Sequence, residues 1–193
     1  DESFSDGSLP EGWSTATNAE CDNPGWYVTE DASSPYFTIP PGDGFYIATN
    51  DDACGGSSDG SNDMLYTNEI SLAEGMVELS FRRFFTGNFG QRFHVYISTD
   101  NWENSTELLF LDVWSGNEEW VKETIDLQAY AGESVALAFH SNDNGNWASG
   151  VALDDIQLGM TPLWISSSST GTIQYQGVET FEFSISTAGL SDG

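Results

Sequence analysis

Val77-Glu78-Leu79-Ser80-Phe81-Arg82 alternates strictly, with Val77, Leu79 and Phe81 on one side and Glu78, Ser80 and Arg82 on the other. Successive side chains of an extended chain leave opposite faces, so this stretch is a strand with one dry face and one wet face. Phe93, Val95 and Ile97 repeat the pattern between His94, Tyr96 and Ser98, and Val135, Leu137 and Phe139 repeat it among small residues. Val151-Ala152-Leu153 leads into a last strand through Ile156 and Leu158. Helical periodicity is nearly absent, and Gly, Ser, Asn or Asp breaks the chain every ~8–12 residues. The fold class expected is all-β: antiparallel sheets packed face to face as a β-sandwich. The segment from Glu20 to Asp63 is looser, with Pro40-Pro41-Gly42 as a break.

The 193 residues are 38% hydrophobic and 13% aromatic, enough to bury the core of one ordinary domain. A boundary falls at Gly159-Met160-Thr161-Pro162, giving a first domain over 1–159. Residues 160–193 hold Leu163-Trp164-Ile165-Ser166, a serine run, Gly171 to Tyr175 and Glu179 to Ile185. These are too few strands for a stable sheet and read as the truncated start of a second β-sandwich. The N-terminal DESFSDGSLPEGW is acidic and polar, and is read as a mature or trimmed terminus.

Lys and Arg number 4 against 31 Asp and Glu, for a net charge of −27. Phosphate neutralisation needs clustered cations, so nucleic acid and docking on anionic membranes are excluded. No apolar run approaches the ~20 residues of a spanning helix, so no membrane insertion is expected. The acids crowd into turn-forming stretches: Asn50-Asp51-Asp52, Asp59 to Asp63, Asn142-Asp143-Asn144 and Asp154-Asp155. Oxygen side chains among small residues suit a hard cation taking six to eight oxygens, and Ca²⁺ is the cofactor expected. Most of the carboxylates are read as solvated surface. Cys21 and Cys54 have no CxxC spacing and no nearby histidine, and are read as one disulfide closing about 30 residues, worth ~3 kcal/mol in the loop-entropy model.

Signals for catalysis are weak. Gly56-Ser57-Ser58-Asp59-Gly60 matches G-x-S-x-G formally, but that elbow needs a strand before it and a helix after it, and the flanks are loop-like. Asp59 to Ile70 lacks the twelfth-position glutamate of an EF-hand. His94 and His140 are read as surface or edge residues. Trp102 and Trp147 lie in polar turns beside Asn and Asp, where a sugar-stacking platform and a folded-back loop anchor are both open readings. Coplanar exposure on one rim would favour sugar. Trp13 and Trp26 are read as core or staple residues.

The segments Ser61-Asn62-Asp63-Met64-Leu65-Tyr66 through Leu72, Phe93 to Thr99, Ile125 to Gly132 and Val151-Ala152-Leu153-Asp154-Asp155-Ile156 follow one another in a distinctive order. With Glu2-Ser3-Phe4 and Pro10-Glu11-Gly12-Trp13, this order resembles the cleaved-adhesin, or choice-of-anchor J, domain, a MAM-like jelly roll of secreted bacterial proteins such as gingipain adhesin regions. The resemblance covers about residues 1–158. It implies a secreted or cell-surface, calcium-stabilised module that binds extracellular protein or glycan, performs no chemistry and shares its chain with other domains. The implied metal ligands are Glu2, Asp63 and one of Asp154 and Asp155, with Asp51 and Asp52 as candidates for the same or a second ion. A jelly roll lays its first and last strands side by side, which would let Glu2 meet Asp154 or Asp155. The tail from Trp164-Ile165-Ser166 resembles the start of an Ig-like repeat of the BACON kind. The alternatives to adhesion are a carbohydrate-binding module that targets an attached enzyme to polysaccharide, and a structural spacer.

Overall fold

The computed structural model describes residues 2–40, 44–57, 60–73, 77–160, 172–174 and 180–182. In chain order the first unit contains β1 (Ser14–Ala16), β2 (Tyr27–Thr29), β3 (Tyr46–Asn50), the short helix α1 (Asp51–Cys54) and β4 (Asn62–Tyr66). There follow β5 (Ile70–Ser71), β6 (Val77–Phe85), β7 (Arg92–Ser98), β8 (Thr106–Leu111), β9 (Trp120–Asp126), β10 (Ser134–Asn142) and β11 (Gly150–Met160).

The strands form two antiparallel sheets. One has the order β1-β4-β10-β7-β8, with β5 also on β10, and the other has the order β2-β3-β11-β6-β9. The last two long strands, β10 and β11, each take a central place, so neither half of this unit can complete a sheet alone. The alternation read in β6, β7 and β10 is what the sandwich uses. Phe81 of β6 meets Phe139 of β10 edge-on at 5.5 Å and Phe93 of β7 at 6.3 Å across the interior. All three rings are fully buried, as are Ile47, Leu65, Leu79, Leu137 and Leu153.

The chain start does pair with the last strand. Glu2 N–H donates to Ile156 O and Ile156 N–H donates to Glu2 O, both at 2.8 Å. There β11 carries one residue more than β6 between Asp154 and Gln157, a bulge in which Asp155 takes φ +50°.

The two outer faces are treated differently. A strap from Ala32 to Pro40 lies over the β3-β11-β6 face, where Phe37 and Ile39 build a second core with Tyr46, Ala48, Phe84 and Ala152. Ala32 N–H donates to the Tyr46 hydroxyl, and the Trp120 indole donates to Pro40 O. No second core forms over the other sheet among the described residues. The Cys21–Cys54 disulfide ties the segment after β1 to α1, with the two Cα atoms 5.3 Å apart. Trp26 is buried, its indole donating to Asp63 O at 2.8 Å, and Trp13 packs on the main core edge-on to Phe4.

The chain divides into two compact units, Asp1–Thr161 and Pro162–Gly193. Of the second unit the described residues are one antiparallel pair, β12 (Thr172–Gln174) with β13 (Thr180–Glu182). The Ig-like reading of 160–193 lies mostly outside the described residues.

Candidate functional site

Alternation along the uncovered sheet sends Tyr66 of β4, His140 of β10, Arg92, His94 and Tyr96 of β7 and Phe110 of β8 to the outside. Register aligns them. His140 stands opposite His94, and His94 opposite Phe110. The His94 ring lies 5.2 Å from His140, 4.8 Å from Phe110 and, nearly parallel, 5.6 Å from Tyr96. Tyr66 and Tyr96 stand on either side of Ala138, which pairs with both and is fully buried. The histidines are therefore surface residues of the outer face, as one of the two sequence readings has it, and stand on inner strands of the sheet, not at its edge. A residue's place in a sheet is set by strand order, which alternation does not encode.

Polar groups frame this row. His94 Nδ1 is 3.0 Å from Glu107 Oε2, His140 Nε2 is 3.3 Å from Asn62 Oδ1, and Asn142 Nδ2 donates to the same oxygen at 2.9 Å. Burial, followed by repulsion from His94, pulls the His140 pKa down from 6.5 to about 4, so its imidazole is neutral at pH 7. Burial, then the Glu107 carboxylate, pushes the Tyr96 hydroxyl above its usual range.

At one end of the row Trp102 meets Tyr66 edge-on at 5.1 Å and lines a cleft of about 430 Å³ with Asn68, Asp100, Asn101 and Ala136. The turn that presents it has two successive left-handed residues, Asn101 at φ +55° and Trp102 at φ +68°. Such a backbone costs a tryptophan about 1 kcal/mol. It is held by Trp102 N–H donating to Ser98 Oγ at 3.0 Å and Asn104 N–H donating to Asp100 Oδ1 at 2.9 Å. Trp147 follows the opposite end of β10. Ser98 pairs with Ala136, whereas Trp147 comes after Asn142, so roughly 20 Å of strand separates the two tryptophans. They do not share a rim.

The proposed metal ligands are similarly divided. Glu2 is brought beside the Asp154–Asp155 bulge by the Ile156 pairing, but its Oε1 accepts from Phe4 N–H at 2.7 Å. Asp154 is buried and accepts from Asp155 N–H at 2.8 Å, and Asp155 faces Arg82 at 3.5 Å. Asp63 belongs to the other end. It stands opposite Ser141, whose hydroxyl reaches Thr49, and Thr49 pairs with Val151, about five residues of strand from Ile156. There Asp63 is buried, accepts from the Thr17 and Ser61 hydroxyls, and is pushed above the usual carboxylate range by burial, with nearby Asp143 adding to the shift. Asp143 is tied by the N–H groups of Ser61 and Gly145. Asp51 accepts from Ala148 N–H, and Asp52 accepts from Tyr36 N–H at 3.0 Å and from the Ser34 hydroxyl. Among the described residues no three acidic, histidine or cysteine side chains converge as a metal cage. Ser58 and Asp59 of the G-x-S-x-G match lie outside the described residues.

Two antiparallel sheets, with the chain start bridged to β11, are the frame in which the MAM domain model, described as meprin/A5/mu, matches residues 3–162. The chain belongs to the MAM domain family. Among solved structures, this MAM domain is similar to the K3 cleaved adhesin domain of Lys-gingipain from Porphyromonas gingivalis W83, at 19% identity and TM-score 0.60, covering 83% of this chain and 97% of that one. The K1 domain of the same protein gives 20% identity and TM-score 0.59 over 83% and 97%. TmCBM61, solved with β-1,4-galactotriose, gives 15% identity and TM-score 0.56 over 83% and 95%. At these identities the likeness is one of fold. No curated protein matches the chain.

The rings of the open face left little trace in the sequence. Tyr66, Tyr96 and Phe110 read as ordinary strand residues, and only their shared register makes a surface of them. The one available signal was that His94 and Tyr96 occupy the polar phase of β7.

Proposed function

We propose that this MAM domain is a secreted, non-catalytic binding module whose open β1-β4-β10-β7-β8 face takes a glycan. The observation that carries this reading is the aligned row of rings, from Phe110 through His94, His140 and Tyr96 to Tyr66 and Trp102, flanked by Asn62, Asn142 and the Trp102 cleft. Aromatic faces stack on the apolar faces of sugar rings, while amides and imidazoles pair with hydroxyls. A sandwich buries the inner faces of its sheets and the strap covers one outer face, so partly exposed rings on the other outer face are a surface available for contact. The presence of TmCBM61 with its galactotriose, and of other carbohydrate-binding modules of the β-sandwich superfamily, among similar folds supports the choice of sugar. The adhesin domains among the same neighbours support a role in attachment within a larger protein.

The test is isothermal titration and a glycan array on the wild type and on Trp102→Ala and Tyr96→Ala. Each variant is expected to stay folded and to lose tenfold or more in affinity, a loss of about 1.4 kcal/mol. Binding that survives both substitutions would remove the open face as the site.

Calcium belongs to the same proposal. Glu2 with Asp154 or Asp155 is the grouping that backbone pairing favours, and an ion there would offset part of the −27 charge.

A further inference from the structure

The opposite end of the molecule gathers loops. The ends of β3, β6, β8 and β10 and the starts of β4, β7, β9 and β11 all lie there, and the strap reaches the same end through Ser34, whose hydroxyl donates to Asn50 Oδ1. Of the exposed large apolar side chains among the described residues, Tyr36 (68% exposed), Phe89 (50%), Val113 and Trp114 belong to these connections. Tyr36 and Phe89 flank Trp147, with ring centroids 5.5 and 4.4 Å away.

Neither ring is placed there by the core. Tyr36 is fixed through its backbone, its N–H donating to Asp52 Oδ2, which leaves the phenol in water. Phe89 is held at φ +61° between Gly87 and Gly90. Left-handed backbone is unfavourable for a phenylalanine and persists where surroundings enforce it. Here the β6–β7 turn is clamped against the β8–β9 connection: a Cβ on Gly87 would stand 2.8 Å from Val113 Cα. The molecule thus carries a strained turn that presents an exposed ring.

Beside these rings lies a cleft of about 330 Å³, with Tyr36 on its wall, Phe84 beneath, and Thr38, Thr86, Asn88 and Glu118 as its hydrogen-bonding groups. That volume is at the lower end of the range for small-molecule pockets. The lining holds no cation, and Glu118 is its one charged group. A carboxylate without a neighbouring cation accepts hydroxyl protons and repels anions, so the charge fits a neutral polyol and disfavours a uronate, a sulfated sugar or a phosphate.

We infer that this cleft is a second carbohydrate site, for a neutral pyranose stacked on Tyr36 and hydrogen-bonded by Asn88 and Glu118. It shares no lining residue with the Trp102 cleft, lies on the strap side of the other sheet and does not depend on the open-face reading. If both sites are used, one domain grips a polysaccharide at two points, and avidity exceeds either affinity.

The test is ¹⁵N NMR titration of the whole chain with cellohexaose, xylohexaose and a galactan hexasaccharide, each to millimolar concentration, beside a polygalacturonate oligomer. The Asn88 side-chain amide and the Trp147 indole should shift with at least one neutral probe and not with the polygalacturonate. Tyr36→Ala, which truncates an exposed ring, should weaken that binding tenfold or more, and Glu118→Gln should weaken it several-fold. Trp102→Ala should leave both signals responsive, so the open-face reading and this one fail separately. Asn88 and Trp147 signals that stay unmoved by all three neutral probes would overturn the inference, and so would shifts that persist in Tyr36→Ala. Self-association of the wild type that disappears in Tyr36→Ala, with no sugar response, would make the patch a protein contact instead.

Discussion

Lowering the pH from 7 to 5 should destabilise this domain through His140. Asp63, whose carboxyl burial pushes up, acts in the opposite direction and does so equally in wild type and in a His140 variant. The His140 ring is partly buried on a central strand, with the His94 ring 5.2 Å away and Asn62 Oδ1 at its Nε2. Its pKa falls from 6.5 to about 4 on folding. Between those values the unfolded chain binds a proton that the folded chain refuses, so stability is full above the unfolded pKa and declines as pH drops. At 1.36 kcal/mol per pH unit the loss would reach ~3.4 kcal/mol if the whole difference counted. Water reaches part of the ring, which reduces that to ~1.5 kcal/mol overall and ~1 kcal/mol between pH 7 and pH 5. The window stays above the ~4 at which ordinary carboxylates protonate. Urea unfolding of wild type and His140→Gln at both pH values isolates the contribution. Glutamine does not titrate, so the variant should lose about 1 kcal/mol less than the wild type over the interval. Equal losses in the two proteins would refute the reasoning, and a larger loss in the variant would reverse its sign.

Other outcomes follow from particular contacts. Chelation with EDTA should lower the melting temperature if Glu2 and the Asp154–Asp155 bulge hold calcium, and Ca²⁺ but not Mg²⁺ should restore it; an unchanged melting curve removes the ion. Gly116→Ala should cost 2 kcal/mol or more by urea unfolding, since its Cβ would stand 1.8 Å from Thr86 O. Leu65→Ala, which empties a fully buried position between the sheets, should cost ~2–5 kcal/mol by the same measurement. The paired change Cys21→Ser with Cys54→Ser releases a crosslink of sequence separation 33 and should cost ~3–4 kcal/mol.

Alternation alone was enough to read the sandwich. Val77, Leu79 and Phe81 must share a face because a strand has a period of two, and that face must be buried because it is apolar. The cysteine pair was legible for a similar reason, since few chemistries fit two isolated thiols. Which residues would meet was another matter. Asp63 and Glu2 both looked like calcium ligands, yet their strands place them about five residues of β11 apart. Trp102 and Trp147 looked equivalent in their polar turns and lie at opposite ends of β10.

Local chemistry therefore determined what each segment becomes, because strand period, turn residues and charge act between near neighbours in the chain. Strand order determined what each surface can do. Alternation gives every strand an outer side and cannot say which sheet the Ala32–Pro40 strap will cover, nor that His94, His140 and Phe110 will fall into one row. Those outcomes depend on pairings between residues far apart in sequence, and only the packed molecule specifies them.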